Sequence, residues 1–150
     1  MEQGLSLPHM RVLWALPQEQ LSSVPGTSLP SHFKLRSAQS TPNFKVMASP
    51  LVHVVISHCG LGAAQEALYF GKPLVCIPLL GDQPDVAARV ADAGAGVALD
   101  KSRLTALDIQ RAVKDVRSNA SYTKQARYLG RTLRRAVRAR GRVAAVWVCG

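Results

Sequence analysis

The residue types best suited to chemistry are concentrated in one stretch, residues 57–83. An apolar, β-branched run ends at His58, which is typical of a buried strand that reaches the edge of a sheet. Gly60 and Gly62 follow, and a helix-forming run starts at Ala63. Glycines between a parallel strand and a helix bring unpaired backbone N–H groups to the positive end of the helix dipole, where phosphate groups bind. This turn therefore predicts an anion site.

Polar side chains near the turn indicate what else the ligand carries. His58 at the strand end can donate a hydrogen bond to the same anion. Glu66, about one turn into the helix, can accept two hydrogen bonds from a ribose diol. Asp82 and Gln83 follow the next apolar run, which places them on the same edge of a parallel sheet. Phosphate and ribose contacts together point to a nucleotide.

The whole stretch has the pattern H-C-G-x(5)-E-A-L-x(2)-G-x-P-L-x(2)-I-P-x(3)-D-Q, starting at His58. It resembles the nucleotide-sugar-binding segment of the family-1 UDP-glycosyltransferases, which are two-domain enzymes of the GT-B fold. A looser resemblance extends over residues 11–140. The resemblance implies that the chain is an incomplete form of the C-terminal, donor-binding domain of such an enzyme.

The resemblance also implies a role for each position of the motif. In the family the motif histidine contacts the diphosphate, and backbone amides at the positions of Gly62 and Ala63 hold a phosphate group. The helix glutamate binds the ribose hydroxyls, and the Asp-Gln pair binds hydroxyls of the donor sugar. The implied donor-binding residues are His58, Gly60, Gly62, Ala63, Glu66, Asp82 and Gln83.

The position that binds the base departs from the family pattern. Family members often carry Trp-x-Pro-Gln, whose Trp stacks on the uracil and whose Gln hydrogen-bonds to it. This chain has Ser40, Thr41, Pro42 and Asn43 there. Ser40 and Asn43 are therefore the implied base-binding residues, with Ser40 in place of the stacking Trp and Asn43 in place of the Gln.

Each of the three charged or titratable motif side chains also has a purely structural interpretation. A histidine at a strand end can be satisfied by backbone groups. A carboxylate at the position of Glu66 is favourable near a helix N-terminus without any ligand. Asp82 stands where a helix N-cap is expected, and capping does not exclude contact with a sugar.

Strand and helix patterns alternate along the chain, which favours a Rossmann-like parallel sheet with helices on both faces, the C-terminal half of a GT-B fold. The first strand of that half has no counterpart here, so a gap is expected between the strands that start at residues 11 and 51. We expect one incomplete UDP-sugar-binding domain over residues 1–150, with a core at 11–141 and a basic tail at 142–150. Strands are predicted at residues 11–16, 33–38, 51–58, 74–78 and 97–100, and helices at 18–22, 41–49, 62–70, 83–92, 105–118 and 122–140.

The formal charge of +10 is a property of the C-terminal third of the chain. Residues 1–100 contain six Lys/Arg and seven Asp/Glu, whereas residues 101–150 contain thirteen and two. No aromatic residues separate the arginines beyond residue 130, so a nucleic-acid platform is not expected and a solvated helix face is favoured. An anionic membrane surface stays open as a partner of this basic helix.

The sequence shows neither a secretory signal peptide nor an apolar run of eighteen residues, so we expect a cytoplasmic protein without a membrane-spanning helix. Its three cysteines, Cys59, Cys76 and Cys149, have no zinc-site spacing and no disulfide framework. The first two are expected to be reduced, buried, small apolar residues.

By resemblance, the parent reaction transfers a hexosyl group from a UDP-sugar to a hydroxyl of a small acceptor, with no cofactor and no metal. His9, His32 and His53 lie outside the motif, so none is assigned as the catalytic base. The chain is therefore expected to be inactive alone and to need a separate acceptor-binding domain or chain. Two alternatives stay open: a non-catalytic nucleotide-sugar binder or truncated fragment, and a basic protein that binds nucleic acid or a membrane surface.

Overall fold

Strands and helices alternate along the chain in a computed structural model that describes residues 10–24 and 29–140. Each predicted element is present, most with bounds shifted by one to three residues, and the predicted strand at 51–58 is shortened to its last part. The strands are β1 (Val12–Leu16), β2 (Phe33–Ser37), β3 (Val55–Ser57), β4 (Leu74–Cys76) and β5 (Gly96–Ala98). The helices are α1 (Gln18–Leu21), α2 (Asn43–Ala48), α3 (Leu61–Tyr69), α4 (Gln83–Asp92), α5 (Ala106–Ser118) and α6 (Ala120–Arg140), with a 3₁₀ turn at Lys101–Arg103.

All strand pairs are parallel, and they form two sheets. β1 pairs with β2, and β3, β4 and β5 pair in that order. Within the described residues no strand pairing joins the two sheets, and the break separates β1 from β3, where a gap was expected. The parallel α/β fold class is confirmed.

The central strand β4 is covered on both faces, as its unbroken apolar run predicts. Leu74 and Cys76 belong to a cluster with buried residues of α3, α4 and α6, whereas Val75 and Ile77 belong to a cluster with α5. Alternate residues of a strand point to opposite faces, so helices lie on both sides of the sheet. The second cluster also contains Phe33 of β2, so the two sheets share one part of the core.

The long helix α6 is anchored on the C-terminal end of α3. A side chain at Gly130 would collide with the Leu68 carbonyl oxygen, so only glycine lets the two helices approach this closely. The Arg134 guanidinium donates a hydrogen bond to the Tyr69 carbonyl oxygen, and its central carbon lies 5.6 Å from the centre of the Tyr69 ring. These contacts satisfy a carbonyl group that the end of α3 would otherwise leave unpaired.

Residue types predict Thr41 as the N-cap of α2 and a capping box between Thr105 and Asp108 at the start of α5. Thr105 and Asp108 form the predicted reciprocal capping box at the start of α5. Thr41 was predicted as the N-cap of α2, but the N-cap is Pro42, and the Thr41 hydroxyl instead donates to the Ser37 carbonyl oxygen at 2.6 Å. Pro42 has a ψ angle of 83°, which is outside the helical region, so the helix starts one residue after it, at Asn43.

None of the described helices combines the length and the apolar character needed to cross a bilayer.

The predicted basic tail at residues 142–150 lies outside the described residues.

Gly96 is expected to be indispensable for pairing β5 with β4. A Cβ atom there would collide with the Leu74 carbonyl oxygen and lie 3.0 Å from Val90 Cγ1. We expect Gly96→Ala to lower the free energy of unfolding by about 3 kcal/mol, measured by urea denaturation. The matched control is Gly62→Ala, where nothing lies within 4 Å of the added atom, so stability should be unchanged or slightly higher. Equal losses in both variants would contradict this packing argument.

The capping box of α5 should stabilise the protein in a pH-dependent way. Hydrogen bonds from the side chain and backbone of Thr105 hold the pKa of Asp108 below its ordinary value of 3.8. A carboxyl whose pKa is lower in the folded state contributes stability that is present above the unfolded pKa and is lost as the pH falls. We expect Thr105→Ala to be less stable than the unmodified protein at neutral pH, with the difference shrinking as the pH falls below 3.8.

Urea unfolding monitored by circular dichroism at a series of pH values measures that difference. Thr132→Ala on the exposed side of α6 is the control, since within residues 10–24 and 29–140 the Thr132 hydroxyl donates a hydrogen bond only to the Tyr128 carbonyl oxygen of its own helix, at 3.3 Å. The difference in the free energy of unfolding between Thr132→Ala and the unmodified protein should not change with pH. A Thr105→Ala difference that persists undiminished at about pH 3 would rule out the carboxylate as its source.

Candidate functional site

The turn between β3 and α3 presents an uncapped helix N-terminus. Gly60 is the N-cap of α3 and has no side chain to accept a hydrogen bond. The first intrahelical bond runs from the Ala64 N–H to the Gly60 carbonyl at 3.0 Å, so the amides before it are not bonded within the helix. Nothing lies within 4 Å of the place where a Gly62 side chain would be, so this side of the turn is open. Unbonded amides at a helix N-terminus are groups that can bind an anion, and the anion site at this turn stays a prediction.

His58 and Glu66 flank this turn with polar groups that have no protein partner in the described part of the chain. The His58 Nε2 atom lies 2.8 Å from the position that a Cβ atom at Gly60 would occupy, so the imidazole lies over the turn. Its side chain is exposed, whereas the Glu66 residue is half-buried one helical turn further on. The structural interpretation of His58, in which backbone groups satisfy its imidazole, is therefore wrong for the described residues.

The connection between β4 and α4 places Asp82 and Gln83 on the same sheet edge. Ser57 and Cys76 are paired in register, so β3 and β4 end level with each other. Asp82 is the N-cap residue of α4 by position, but its carboxylate makes no capping hydrogen bond, so the capping role suggested for it is wrong. The carboxylate stays exposed and available to a ligand.

Gln83 organises this connection through its side-chain oxygen. Gln83 Oε1 accepts hydrogen bonds from the backbone N–H groups of Leu79 at 2.8 Å and Leu80 at 3.1 Å. This leaves its NH₂ group as a donor at the surface. The sequence motif identified the residue, but nothing in the sequence indicates that it also shapes the loop.

Ser40 and Asn43, the residues implied in base binding, lie on the segment from the end of β2 to the start of α2. The Ser40 hydroxyl donates to the Ser37 carbonyl oxygen at 3.2 Å, so it stabilises its own turn after β2. Asn43 starts α2, and its neighbour Phe44 packs edge-on against Phe70, with 4.5 Å between ring centres, beyond the far end of α3. No described hydrogen bond joins Ser40 or Asn43 to the β3–α3 turn, and their role in base binding stays a prediction.

Cys59 and Cys76 form a disulfide, which corrects the expectation that both are reduced. Both residues are fully buried, as predicted, and their Cα atoms are 5.4 Å apart, a normal separation for a disulfide. The pairing follows from the strand register, because Cys76 ends β4 opposite Ser57 and the chain turns at Cys59. Sequence spacing carries no signal of this, and the cysteines no longer favour a reducing compartment.

Lys72 is a second contributor that sequence analysis missed. Its Nζ atom donates to the carbonyl oxygens of Ser49 at 2.8 Å and Val52 at 2.9 Å, which ties the connection from α2 to β3 onto the turn before β4. Burial, and then the nearby Arg127 guanidinium, lower the pKa of this ammonium group. The half-buried Lys72 side chain thus joins the segments that lead into β3 and β4.

The basic helix α6 presents most of its charge to solvent. The central guanidinium carbon of Arg131 lies 6.0 Å from the centre of the exposed Tyr128 ring. The Arg134 guanidinium instead donates a hydrogen bond to the Tyr69 carbonyl oxygen. These contacts agree with a solvated helix face, and a membrane surface as its partner stays a prediction. Over residues 120–139, the other exposed basic residues of the helix are Lys124, Arg127, Arg135 and Arg138.

Comparisons with known proteins agree on one family. The sequence profile of the family described as UDP-glucoronosyl and UDP-glucosyl transferase matches residues 7–139. UDP-glucuronosyltransferase 2C1 of Oryctolagus cuniculus is 41% identical over 90 residues, which are 60% of this chain and 18% of that enzyme. The chain therefore spans about a fifth of the length of this curated relative.

Solved structures show the same fold. The glycotransferase of kitacinnamycin superposes on 95% of this chain with a TM-score of 0.80 and 24% identity, using 36% of its own length. Os79 from O. sativa, in a structure with UDP, superposes on 82% of this chain with a TM-score of 0.72 and 25% identity, using 29% of its own length. The α/β architecture therefore matches GT-B glycosyltransferase structures.

The loop after β4 should depend on the Gln83 side chain. Gln83→Leu removes the acceptor for the Leu79 and Leu80 amides, each bond being worth about 1 kcal/mol. We expect those two amides to exchange with deuterium about tenfold faster in the variant, measured by NMR. Gln83→Glu keeps an acceptor oxygen and should restore slow exchange. Unchanged exchange in Gln83→Leu would show that the loop is held by other contacts.

Proposed function

Because the chain belongs to the UDP-glucoronosyl and UDP-glucosyl transferase family, we propose that residues 57–83 bind the donor, a UDP-sugar, of a hexosyl transfer reaction. The observation that carries the proposal is the open, uncapped N-terminal turn of α3 with an unpartnered His58 beside it. A diphosphate matches this site in charge and in hydrogen-bonding capacity.

The positions of the polar groups support an order of contacts along the donor. The diphosphate lies against the first-turn amides of α3 and the His58 imidazole. Glu66 lies one turn along α3 and has no protein partner among the described residues. Its carboxylate accepts hydrogen bonds from the ribose hydroxyls. Asp82 and the NH₂ group of Gln83, on the same sheet edge, bind hydroxyls of the sugar. The UDP in the Os79 structure agrees with a uridine nucleotide as the ligand of this fold.

The reaction we propose is a direct displacement at the anomeric carbon of the sugar. An acceptor hydroxyl loses its proton to a base and attacks that carbon, while UDP leaves with the electron pair of the broken bond. His58 and the α3 N-terminus stabilise the negative charge that grows on the departing diphosphate. No residue of this chain is assigned as the base, so we propose that a separate domain or chain supplies the base and the acceptor pocket.

A second candidate is a nucleotide-sugar binder without turnover. It is favoured by the same observation, since the proposed donor contacts lie on a continuous segment of this chain, whereas no residue of the chain is assigned as the base. The two candidates share the donor site and differ only in whether an acceptor-binding partner exists. Transferase activity in a mixture with a co-purified partner would support the first.

Titration calorimetry on the full chain tests the donor site. We expect His58→Ala to weaken UDP binding by about tenfold to hundredfold and to leave uridine binding unchanged, because only UDP carries the diphosphate. Glu66→Ala should weaken both ligands by about tenfold, because both carry the ribose diol.

Glu19→Ala is the matched control for Glu66→Ala, since it removes the same side chain from the exposed helix α1. It should bind both ligands normally. If His58→Ala and Glu66→Ala bind UDP as tightly as the unmodified protein, the donor site lies elsewhere and the proposal fails.

A further inference from the structure

Cys59 occupies an unusual backbone conformation in the middle of the donor site. It is the only described non-glycine residue with a positive φ, at 59°. It lies between His58 and Gly60, so it joins the imidazole to the helix N-terminus. A residue with a Cβ atom is disfavoured in this left-handed region, so other contacts must hold it there.

Two contacts hold Cys59 in place. Its N–H donates to the Ser57 hydroxyl at 3.1 Å, and its Sγ is bonded to Cys76 Sγ. Cys76 is the last residue of β4, and its position in the sheet is set by pairing with both β3 and β5. The disulfide therefore joins the turn between β3 and α3 to the central strand of the sheet.

We propose that the Cys59–Cys76 disulfide is a positioning element that pre-organises His58 and the first-turn amides of α3 for a diphosphate. The inference rests on the proposed donor site. The Cys59 backbone dihedral angles set how the peptide groups after it are placed relative to His58. A turn held in its binding geometry does not have to be ordered by the ligand, so the ligand binds more tightly.

The core around Cys59 and Cys76 also leaves little room for two free thiols. Both cysteines are completely buried, packed with Ala64, Leu74 and Ala87 of the same core cluster. Two free thiols occupy more space than one disulfide, so breaking the bond displaces the Cys59 backbone within a packed core. The displacement reaches His58 and Gly60 first, because these are its neighbours in the chain.

A disulfide that only stabilised the fold would behave differently. It would raise the unfolding midpoint without changing the affinity of folded molecules for UDP. A positioning element changes the affinity for the diphosphate itself. Uridine, which lacks the diphosphate, separates the two roles, because a general loosening of the site would weaken uridine as well.

The experiment compares the oxidised and reduced full-length chain by titration calorimetry with UDP and with uridine. Dithiothreitol in denaturant transfers two electrons and two protons to the disulfide, giving two thiols and the cyclic disulfide of the reagent. Refolding under reducing conditions gives the reduced protein. We expect UDP affinity to fall about tenfold and uridine affinity to stay unchanged. Cys149→Ser is the control and should respond to reduction as the unmodified chain does.

A substituted pair covers the case in which the reduced chain does not refold. In Cys59→Gly with Cys76→Val, glycine accepts the positive φ and valine refills the core space, so folding is not opposed. This variant should also bind UDP about tenfold more weakly and uridine normally. Unchanged UDP affinity in the variant or the reduced chain, or an equal loss for uridine, would overturn the inference. Failure of the oxidised chain to bind either ligand would instead overturn the donor site on which it rests.

Discussion

The parallel pairing of β3 with β4 is the constraint on which the site depends. Backbone bonds from Val55 N–H to the Pro73 carbonyl at 3.0 Å and from Ile77 N–H to the Ser57 carbonyl at 2.8 Å set the register. This register makes the two strands end level, so the turns that follow them open on one edge of the sheet. A slip of one residue would exchange the faces of every β4 side chain and would move Cys76 away from Cys59.

Much of this arrangement is visible in the sequence because it is local. A strand, two glycines and a helix lie in order within residues 51–70, and the positive end of a helix dipole follows from that order alone. The unbroken apolar run of β4 predicts a strand buried on both faces, which the two clusters around Leu74 and Val75 confirm. The reciprocal cap of Thr105 and Asp108 is equally local, since both partners are three residues apart.

The features that sequence patterns did not give depend on contacts between distant parts of the chain. The Cys59–Cys76 bond needs the strand register, which no spacing rule contains. The Asp82 carboxylate stands at an N-cap position without capping, while the neighbouring Gln83 bonds to the preceding loop. Lys72 reaches the carbonyl oxygens of Ser49 and Val52 only because α2 returns to the turn before β4. Local propensity predicts where elements begin, and long-range packing decides which side chains meet.

The contact between Arg134 and the C-terminal end of α3 affects the electrostatics of the whole α3 helix. The guanidinium stands at the Tyr69 carbonyl, where the negative end of the helix dipole lies. The opposite, positive end of α3 is the turn that His58 overlies. A bound anion at that turn would place a negative charge at the positive end of α3. Arg134, which lies 65 positions after Tyr69 in the chain, places a positive charge at the negative end. Arg134 of α6 thus supplies the positive counter-charge at the C-terminal end of α3.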